Sequence, residues 1–244
     1  MIRKLKICAI VGTMHKKSNT SYMVRRFIDI LKEQEDYEVE YEILNLFEYQ
    51  ICNCIGCYSC AKTNNCILND DMEFLKIKMM EANIIIWATP IYMNNVSGIM
   101  KTFIDRLHIW TKMLYLSGKH NIMLSTSSHA GGDISVLNYL VNIICSLGAV
   151  NIGQYNLCVD FPKELYTPDK EEILLRNYVK QTVDNFQKNF YKATPLHEMI
   201  FNDLKAQINS LNLKDIKNNY ILQYWSDKEI KEYDSFQQYL DVYK

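Results

Sequence analysis

The run Ile84-Ile85-Ile86-Trp87-Ala88 limits the fold more than any other stretch of the chain. Five consecutive apolar residues with no polar alternate fit a strand covered on both faces, and such strands lie at the centre of parallel sheets whose crossovers are helices. Three further runs, Leu5 to Val11, Val39 to Leu46 and Ile122 to Ser125, behave in the same way. Each of the four leads through a polar or glycine-containing loop into a segment of helical period, and a fifth run, Val150 to Val159, follows the last helix. The helices expected are Asn19 to Gln34, Asp70 to Glu81, Gly98 to Lys112 and Ile134 to Leu147. Strand alternating with helix predicts an α/β fold with a doubly wound, five-stranded parallel sheet. In the third helix Ile99, Phe103, Ile104 and Leu107 recur at helical spacing and read as core packing.

At 244 residues the chain suits one sheet domain with an appendage. The sheet domain is expected over residues 1–160, and its cysteine-rich loop over 52–66. Beyond it the texture changes: Pro162, Pro168 and Pro195 punctuate helix-like segments, and Leu174, Tyr178, Val183, Phe186 and Phe190 form one apolar stripe. Residues 161–244 therefore read as a C-terminal helical extension. With 27 Lys and Arg against 28 Asp and Glu, no cationic excess exists to displace counterions from phosphates, which argues against a nucleic-acid partner. The longest apolar runs are far too short to span a bilayer, and MIRKLKICAIVGT goes straight into a strand pattern rather than a cleavable signal. A cytoplasmic protein without a membrane partner is the expectation, and in a reducing compartment clustered cysteines more often bind metal or do redox chemistry than form bridges.

Ligands of open parallel sheets bind where strand ends meet helix starts. The first such loop, GTMHKKSNT, carries neither G-x-G-x-x-G nor G-x-x-x-x-G-K-[ST]. It offers hydroxyls at Thr13, Ser18 and Thr20, the Asn19 amide, the basic His15, Lys16 and Lys17, and a helix N-terminus. Those groups suit a phosphate monoester, although Ser18 or Asn19 as a plain helix cap explains them equally well. The loops after the third and fourth strands, TPIYMNN and STSSHAGGD, lie on the same sheet edge. Pro90, Ile91 and Tyr92 can wall a flat ring, Asn94 and Asn95 can meet its polar edge, and Gly131 and Gly132 allow close backbone approach. A mononucleotide with an aromatic head is the ligand these loops suggest together.

At this point the chain resembles the flavodoxin-like NAD(P)H-dependent FMN reductases, and within them the iron-sulfur flavoproteins. The likeness covers about Lys4 to Val159. It rests on the first strand and its GTMHKKSNT loop, on Cys54 to Cys66 running into Asp70-Asp71-Met72, and most specifically on IIIWATPIYMNNVSGIMKTFIDR. In that last segment the family has a similar T-P-[IV]-Y stretch and a K-x-x-x-D-R helix end. The resemblance implies that Thr13, His15, Ser18, Asn19 and Thr20 hold the FMN phosphate. It further implies that Pro90, Ile91, Tyr92, Met93, Asn94 and Asn95 line the isoalloxazine, and that Thr126, Ser127, Ser128 and Gly131 close its far side. Electrons would pass from NAD(P)H, or from ferredoxin through an iron-sulfur cluster, by way of FMN to a small-molecule acceptor, in a homodimer or homotetramer. Where the family commonly has Ser-Pro-Arg this chain has Thr13-Met14-His15, so a bidentate arginine contact is lost and weaker or pH-sensitive FMN retention is expected.

Cys54, Cys57, Cys60 and Cys66 follow a C-x2-C-x2-C-x5-C pattern, the compact motif of the iron-sulfur flavoproteins. Three thiolates at two-residue gaps wrap one face of a four-iron four-sulfur cubane, as in bacterial ferredoxins. Structural zinc usually pairs two separated knuckles, and here three ligands crowd one turn. A bound cluster and a loop of free thiols or a redox pair both remain open. Cys52 is a spare, and Cys8, Cys145 and Cys158 read as small apolar filler. Asp70 and Asp71 precede a helix and read as acidic caps rather than an acid-base pair. His108, His120 and His197 have no partner pattern, and His129 is placed near the flavin by position alone. No catalytic side chain is assigned. A phosphorelay receiver is excluded, because the third strand ends in Trp87-Ala88-Thr89-Pro90 without a carboxylate. A non-catalytic flavodoxin-like electron carrier and a zinc-stabilised binding module are the competing readings.

Overall fold

A computed structural model describes residues 3–128, 133–159, 168–188, 191–211 and 219–243. The elements of the sheet region are β1 Arg3–Val11, α1 Asn19–Lys32, β2 Tyr37–Asn45, α2 Ser59–Thr63, α3 Met72–Glu81, β3 Ile84–Tyr92 and β4 Asn95–Val96, followed by α4 Gly98–Asp105, α5 His108–Thr111, β5 His120–Ser127, α6 Asp133–Ser146 and β6 Val150–Cys158. The remaining helices are α7 Pro168–Lys188, α8 Pro195–Ser210, α9 Tyr220–Asp227 and α10 Phe236–Asp241. The five long strands are parallel in the order β2-β1-β3-β5-β6, and β4 pairs antiparallel with the end of β3.

Period-two alternation divides the core. Ile84, Ile86 and Ala88 face one side with Ile7, Ala9, Val11, Ile122 and Leu124, where Val24, Phe27 and Ile28 of α1 pack. Ile85 and Trp87 face the other side with Cys8, Ile10 and Met123, under Leu75 and Met79 of α3, Met100 and Phe103 of α4, and Leu140 and Ile144 of α6. The Trp87 indole N–H, fully buried, donates to Asn121 Oδ1 at 2.5 Å. Burying a tryptophan this large without such an acceptor costs about 1–3 kcal/mol for the orphaned donor.

Four expectations are corrected. β3 continues past Ala88 to Tyr92 because the missing N–H of Pro90 falls at the strand's end, where Pro90 still sits opposite Thr126. The expected helix Gly98 to Lys112 is two: Leu107 N bonds Ile104 O and Trp110 N bonds Leu107 O, three-residue closures that tighten and redirect the chain. A short helix, α2, forms within the cysteine loop, entered and left through left-handed Tyr58 and Asn64. In α7 the buried seam runs through Leu175, Val179, Thr182 and Phe186; Leu174, Tyr178 and Val183 pack beside it partly buried, and Phe190 lies outside the described residues.

The C-terminal helices bury most of their apolar residues on the face already covered by α1, while Tyr220, Ile221 and Tyr224 of α9 also pack against the cluster on the other face. Leu175, Val179 and Phe186 of α7, with Phe201, Trp225 and Phe236 beyond it, share one apolar cluster with the sheet. At the surface Arg26 of α1 grips Glu172, and Arg176 grips Glu33. His197 starts α8: its Nδ1 accepts from Thr194 N at 3.1 Å while Thr194 Oγ1 caps His197 N, and its Nε2–H donates to Ala149 O at 3.0 Å. The neutral tautomer thus fastens α8 to the start of β6. Among the described residues no helix is long and apolar enough to cross a membrane.

Candidate functional site: a cleft at the sheet edge and a clasped cysteine loop

The strand order reverses beside β1, and the loops leaving β1, β3 and β5 meet there. Gly12 N bonds Ala88 O at 2.7 Å, which zips the first loop to β3. Ser97 ties the same point from the other side: its Oγ donates to Gly12 O at 2.5 Å, its N donates to Thr89 Oγ1 at 3.0 Å, and its Oγ caps α4 at Met100 N. Glycine is required at position 12 for space, since a Cβ there would stand 2.6 Å from Met100 Cβ.

These loops enclose a cleft of about 520 Å³ lined by Thr13, His15, Lys17, Ser18, Asn19 and Thr20 on one side and by Pro90, Ile91 and Tyr92 on another, with Thr126, Ser127, Ser128 and Val159 closing the third. Ser18 caps α1 by accepting from Ser21 N at 3.0 Å. The N–H groups of Asn19 and Thr20 have no partner within the helix, because they belong to its first turn. Thr20 Oγ1 and Thr126 Oγ1 share a buried hydrogen bond of 2.7 Å across the cleft floor. On the far side Asn156 accepts from Ser125 Oγ and donates to Ser127 Oγ, and Tyr178 of α7 holds the Asn156 carbonyl. Basic His15 and Lys17 line the cleft, and among the described residues no Asp or Glu does.

Eleven of the sequence-predicted residues therefore border one cavity. Met93, Asn94 and Asn95 do not: left-handed Met93 and Asn94, at φ of 50° and 57°, turn the chain from β3 back into β4 and carry these residues above the rim, Met93 98% exposed. Gly131, Gly132 and His129 lie outside the described residues. Lys17 and Val159 line the cleft without having been singled out as site residues; Lys17 was visible in the first loop as a cation, and Val159 gave no signal beyond ending the last strand.

The cysteine loop lies at the far end of α4. Cys54 and Cys57 are exposed, Cys52, Cys60 and Cys66 half-buried, and all eight cysteines are free thiols. Cys57 stands between left-handed Gly56 and Tyr58. Among the described residues no three Cys, His, Asp or Glu side chains converge to hold a metal ion. Burial, and then the neighbouring Cys66, push the Cys60 thiol up from its ordinary value.

Both ends of the loop are clasped by a buried ion pair. The Arg106 guanidinium donates to both oxygens of Asp70, to Cys52 O at 2.8 Å and to Cys66 Sγ at 3.3 Å. The two side chains are 2% and 1% exposed. Asp70 also accepts from Cys52 N and Met72 N. Burial alone would raise the Asp70 carboxyl, but Arg106 and these two N–H groups outweigh it and hold it at about 2. The acidic-cap reading of Asp70 is thus incomplete: it does serve Met72 N, and its main partner is Arg106. Asp71, the residue before α3, makes no cap bond and instead accepts from Gln50 N.

An open parallel sheet of this strand order, with the first turn of α1 and the segment Pro90-Ile91-Tyr92 lining one cleft at the switch point, defines a flavodoxin-like protein. The family description "NADPH-dependent FMN reductase" matches residues 5–163, and the chain belongs to that family of oxidoreductases. An iron-sulfur flavoprotein of Archaeoglobus fulgidus is 32% identical over 149 residues, 61% of this chain and 66% of its own. An iron-sulfur flavoprotein of Clostridioides difficile is 25% identical over 229 residues, 92% of this chain and 99% of its own. Among solved structures, an NADH:FMN oxidoreductase in its apo form superposes with a TM-score of 0.56 at 19% identity, covering 78% of this chain and 92% of its own. An NAD(P)H:quinone oxidoreductase from Methanothermobacter marburgensis also gives 0.56, at 14% identity, covering 79% and 98%. These two likenesses concern the fold.

Proposed function

We propose that this chain is an FMN-dependent oxidoreductase that takes electrons from NAD(P)H, or from ferredoxin through an iron-sulfur cluster, and passes them by way of FMN to a small-molecule acceptor. The observation that carries this reading is the pairing, in one cleft, of an acid-free, hydroxyl-rich helix N-terminus with the apolar segment Pro90-Ile91-Tyr92. A cavity of about 520 Å³ falls within the usual range for small-molecule sites. The phosphate end fits the first turn of α1, where unpaired N–H groups and the macrodipole favour an anion and Thr13, Thr20 and Thr126 add hydroxyls. Lys17 offsets its charge, and the His15 ring adds a hydrogen-bonding group to the same side of the cleft. The ring fits against Pro90 to Tyr92, which keep water from that side, while Asn156 holds Ser127 at the opposite rim. Bound FMN supplies hydride and single-electron chemistry; the residues of the chain bind it, orient it and tune it.

The cysteine loop carries the thiol donor set of a four-iron four-sulfur cluster, and that donor set is what supports the cluster reading. Cys54, Cys57, Cys60 and Cys66 provide four thiols, and left-handed residues beside Cys57 bend the backbone as anion-holding concavities require. The sulfurs are not gathered among the described residues, so holding a cluster requires the loop to draw in around it.

Anaerobic purification followed by an absorption spectrum, quantification of released flavin, and iron, sulfide and zinc analysis tests both parts. Stoichiometric FMN, bleached on addition of NADH or NADPH, is expected. Protein that takes up no FMN after reconstitution refutes the enzyme reading; zinc without iron or sulfide refutes the cluster alone.

A further inference from the structure

The far wall of the cleft holds a hydrogen-bond relay whose direction follows from burial. Ser125 is fully buried, and the acceptor its hydroxyl reaches is Asn156 Oδ1 at 2.9 Å. Turning the Asn156 amide over would set an NH2 group against that O–H and orphan it away from water, at a cost of about 1–3 kcal/mol. Ser125 therefore decides which end of the amide points where. Nδ2 is left facing Ser127 and donates to Ser127 Oγ at 3.0 Å. A hydroxyl oxygen that accepts such a bond keeps its own proton for another partner. Ser127 Oγ makes no second bond among the described residues, and Ser127 lines the cleft. Its O–H is a donor left for whatever the cleft holds.

The relay has a second anchor, outside the sheet. β6 is an edge strand, so the carbonyls on its outer side have no strand to pair with. Helix α7 supplies donors instead: the Tyr178 hydroxyl donates to Asn156 O at 2.9 Å, and Asn185 Nδ2–H donates to Ile152 O at 3.1 Å. The Tyr178 ring is itself held. It stacks on Tyr155 with centroids 4.4 Å apart, and Tyr155 is bonded to Thr182, one turn further along α7. Burial pushes the Tyr178 phenol up, which keeps it a protonated donor. Asn156 is thus gripped on its main chain by the C-terminal extension while its side chain grips the cleft wall.

Resting on the FMN reading of the cleft, we infer that Asn156 is a positioning residue that fixes Ser127 as a hydrogen-bond donor to the bound flavin nucleotide, and that Tyr178 places this control in the C-terminal helices. A flavin nucleotide presents mainly acceptors to a wall of this kind, as ring carbonyls, ring nitrogens and phosphate oxygens. A serine fixed as donor serves them, and one whose proton is committed to a protein acceptor does not. The extension therefore does more than cover an apolar face: through one main-chain bond and one amide it sets the polarity of a group lining the cleft.

The test is a double-mutant cycle on full-length protein stripped of flavin, with FMN as the probe and its fluorescence as the readout of the dissociation constant. N156D keeps the side chain's shape and the acceptor for Ser125 but turns the atom facing Ser127 from donor to acceptor, so the Ser127 proton is drawn back into the wall. S127A removes that proton outright. Each is expected to weaken FMN about fivefold to tenfold, the worth of one ordinary hydrogen bond, and the double variant no more than about twofold beyond S127A. Y178F, which keeps the ring on Tyr155 and removes only its O–H, is expected to weaken FMN about threefold with Ser127 present and not at all in S127A. It carries the same comparison should N156D fail to fold. Equal weakening in both backgrounds, as added charge or a loosened wall produces, overturns the proposal, and so does S127A that binds FMN as wild type does. Unchanged binding in Y178F overturns the part given to the extension. Wild-type protein that takes up no FMN overturns the FMN reading itself, and that failure shows before any variant is compared.

Discussion

Replacing Asp70 by asparagine keeps the side chain's shape and removes its charge, which leaves the Arg106 guanidinium buried without a counterion. The carboxyl is held at about 2 against an ordinary 3.8, which corresponds to about 2.4 kcal/mol of native-state stabilisation at 1.36 kcal/mol for each factor of ten. Because this pKa is depressed by folding, the stabilisation is complete above about pH 4 and is lost as the pH falls through about 2. Breaking a buried pair from one side costs more than that linkage alone, about 3–5 kcal/mol, because the surviving charge stays desolvated. D70N should therefore lose about 3 kcal/mol at pH 7, a large share of a typical 5–15 kcal/mol. In urea unfolding that is a midpoint shift of about 1 M or more at a slope of about 3 kcal/mol per M. The difference between wild type and variant should shrink by about 2 kcal/mol between pH 4 and pH 2, where the wild-type carboxyl takes up its proton. Midpoints that agree within about 0.2 M at pH 7, or pH profiles that run parallel from 4 to 2, refute the reasoning. Either result would mean that the Arg106–Asp70 pair stabilises the fold no more than an exposed one.

G12A should cost about 1–3 kcal/mol and reduce FMN retention, since its Cβ displaces Met100 and, through α4, the Ser97 contact; equal melting and equal flavin content would contradict the crowding at 2.6 Å. T126V should weaken FMN retention and cost about 1 kcal/mol by removing the hydroxyl partner of Thr20, measured by flavin fluorescence on dilution and by urea unfolding. His197 is buried neutral, and burial lowers its pKa against the pull of the Ala149 hydrogen bond. Stability should therefore fall as the pH drops below the unfolded value near 6.5, because the unfolded chain takes up the proton first. H197Q, which can still complete the capping box, should flatten that profile between pH 5 and 7, and an equally steep profile in the variant would assign the pH dependence elsewhere.

Much of the fold was legible because its signals are local. A doubly buried strand such as Ile84 to Ala88 has no polar face to display, and each helix after it carries its apolar residues at helical spacing, so the order of elements follows from pattern alone. The cleft was legible for the same reason: topology places the loops after β1, β3 and β5 at one edge whatever their composition. Boundaries failed where a tertiary contact decided them. Pro90 looked like a terminator and is tolerated because it falls near the strand's end, and Leu107 sits at helical spacing yet closes a tightened turn. In α7 the apolar residues Leu174 and Tyr178 suggested one seam, but the buried one includes Thr182, whose hydroxyl makes its burial acceptable by bonding Tyr155 OH and Tyr178 O.

The cysteine loop marks the limit of local reading. Spacing identifies four donors and says nothing of what surrounds them. Asp70, two residues before a helix, carries every mark of a cap, and one of its oxygens does serve Met72 N. What changes its role is Arg106, 36 residues away in sequence, at a helix end that composition alone would leave in solvent. Neither residue announces a buried ion pair, because each is ordinary in its own window and only the fold brings the windows together. A charge pair removed from water must be held by the structure around it, and here that structure consists of both ends of the thiol loop.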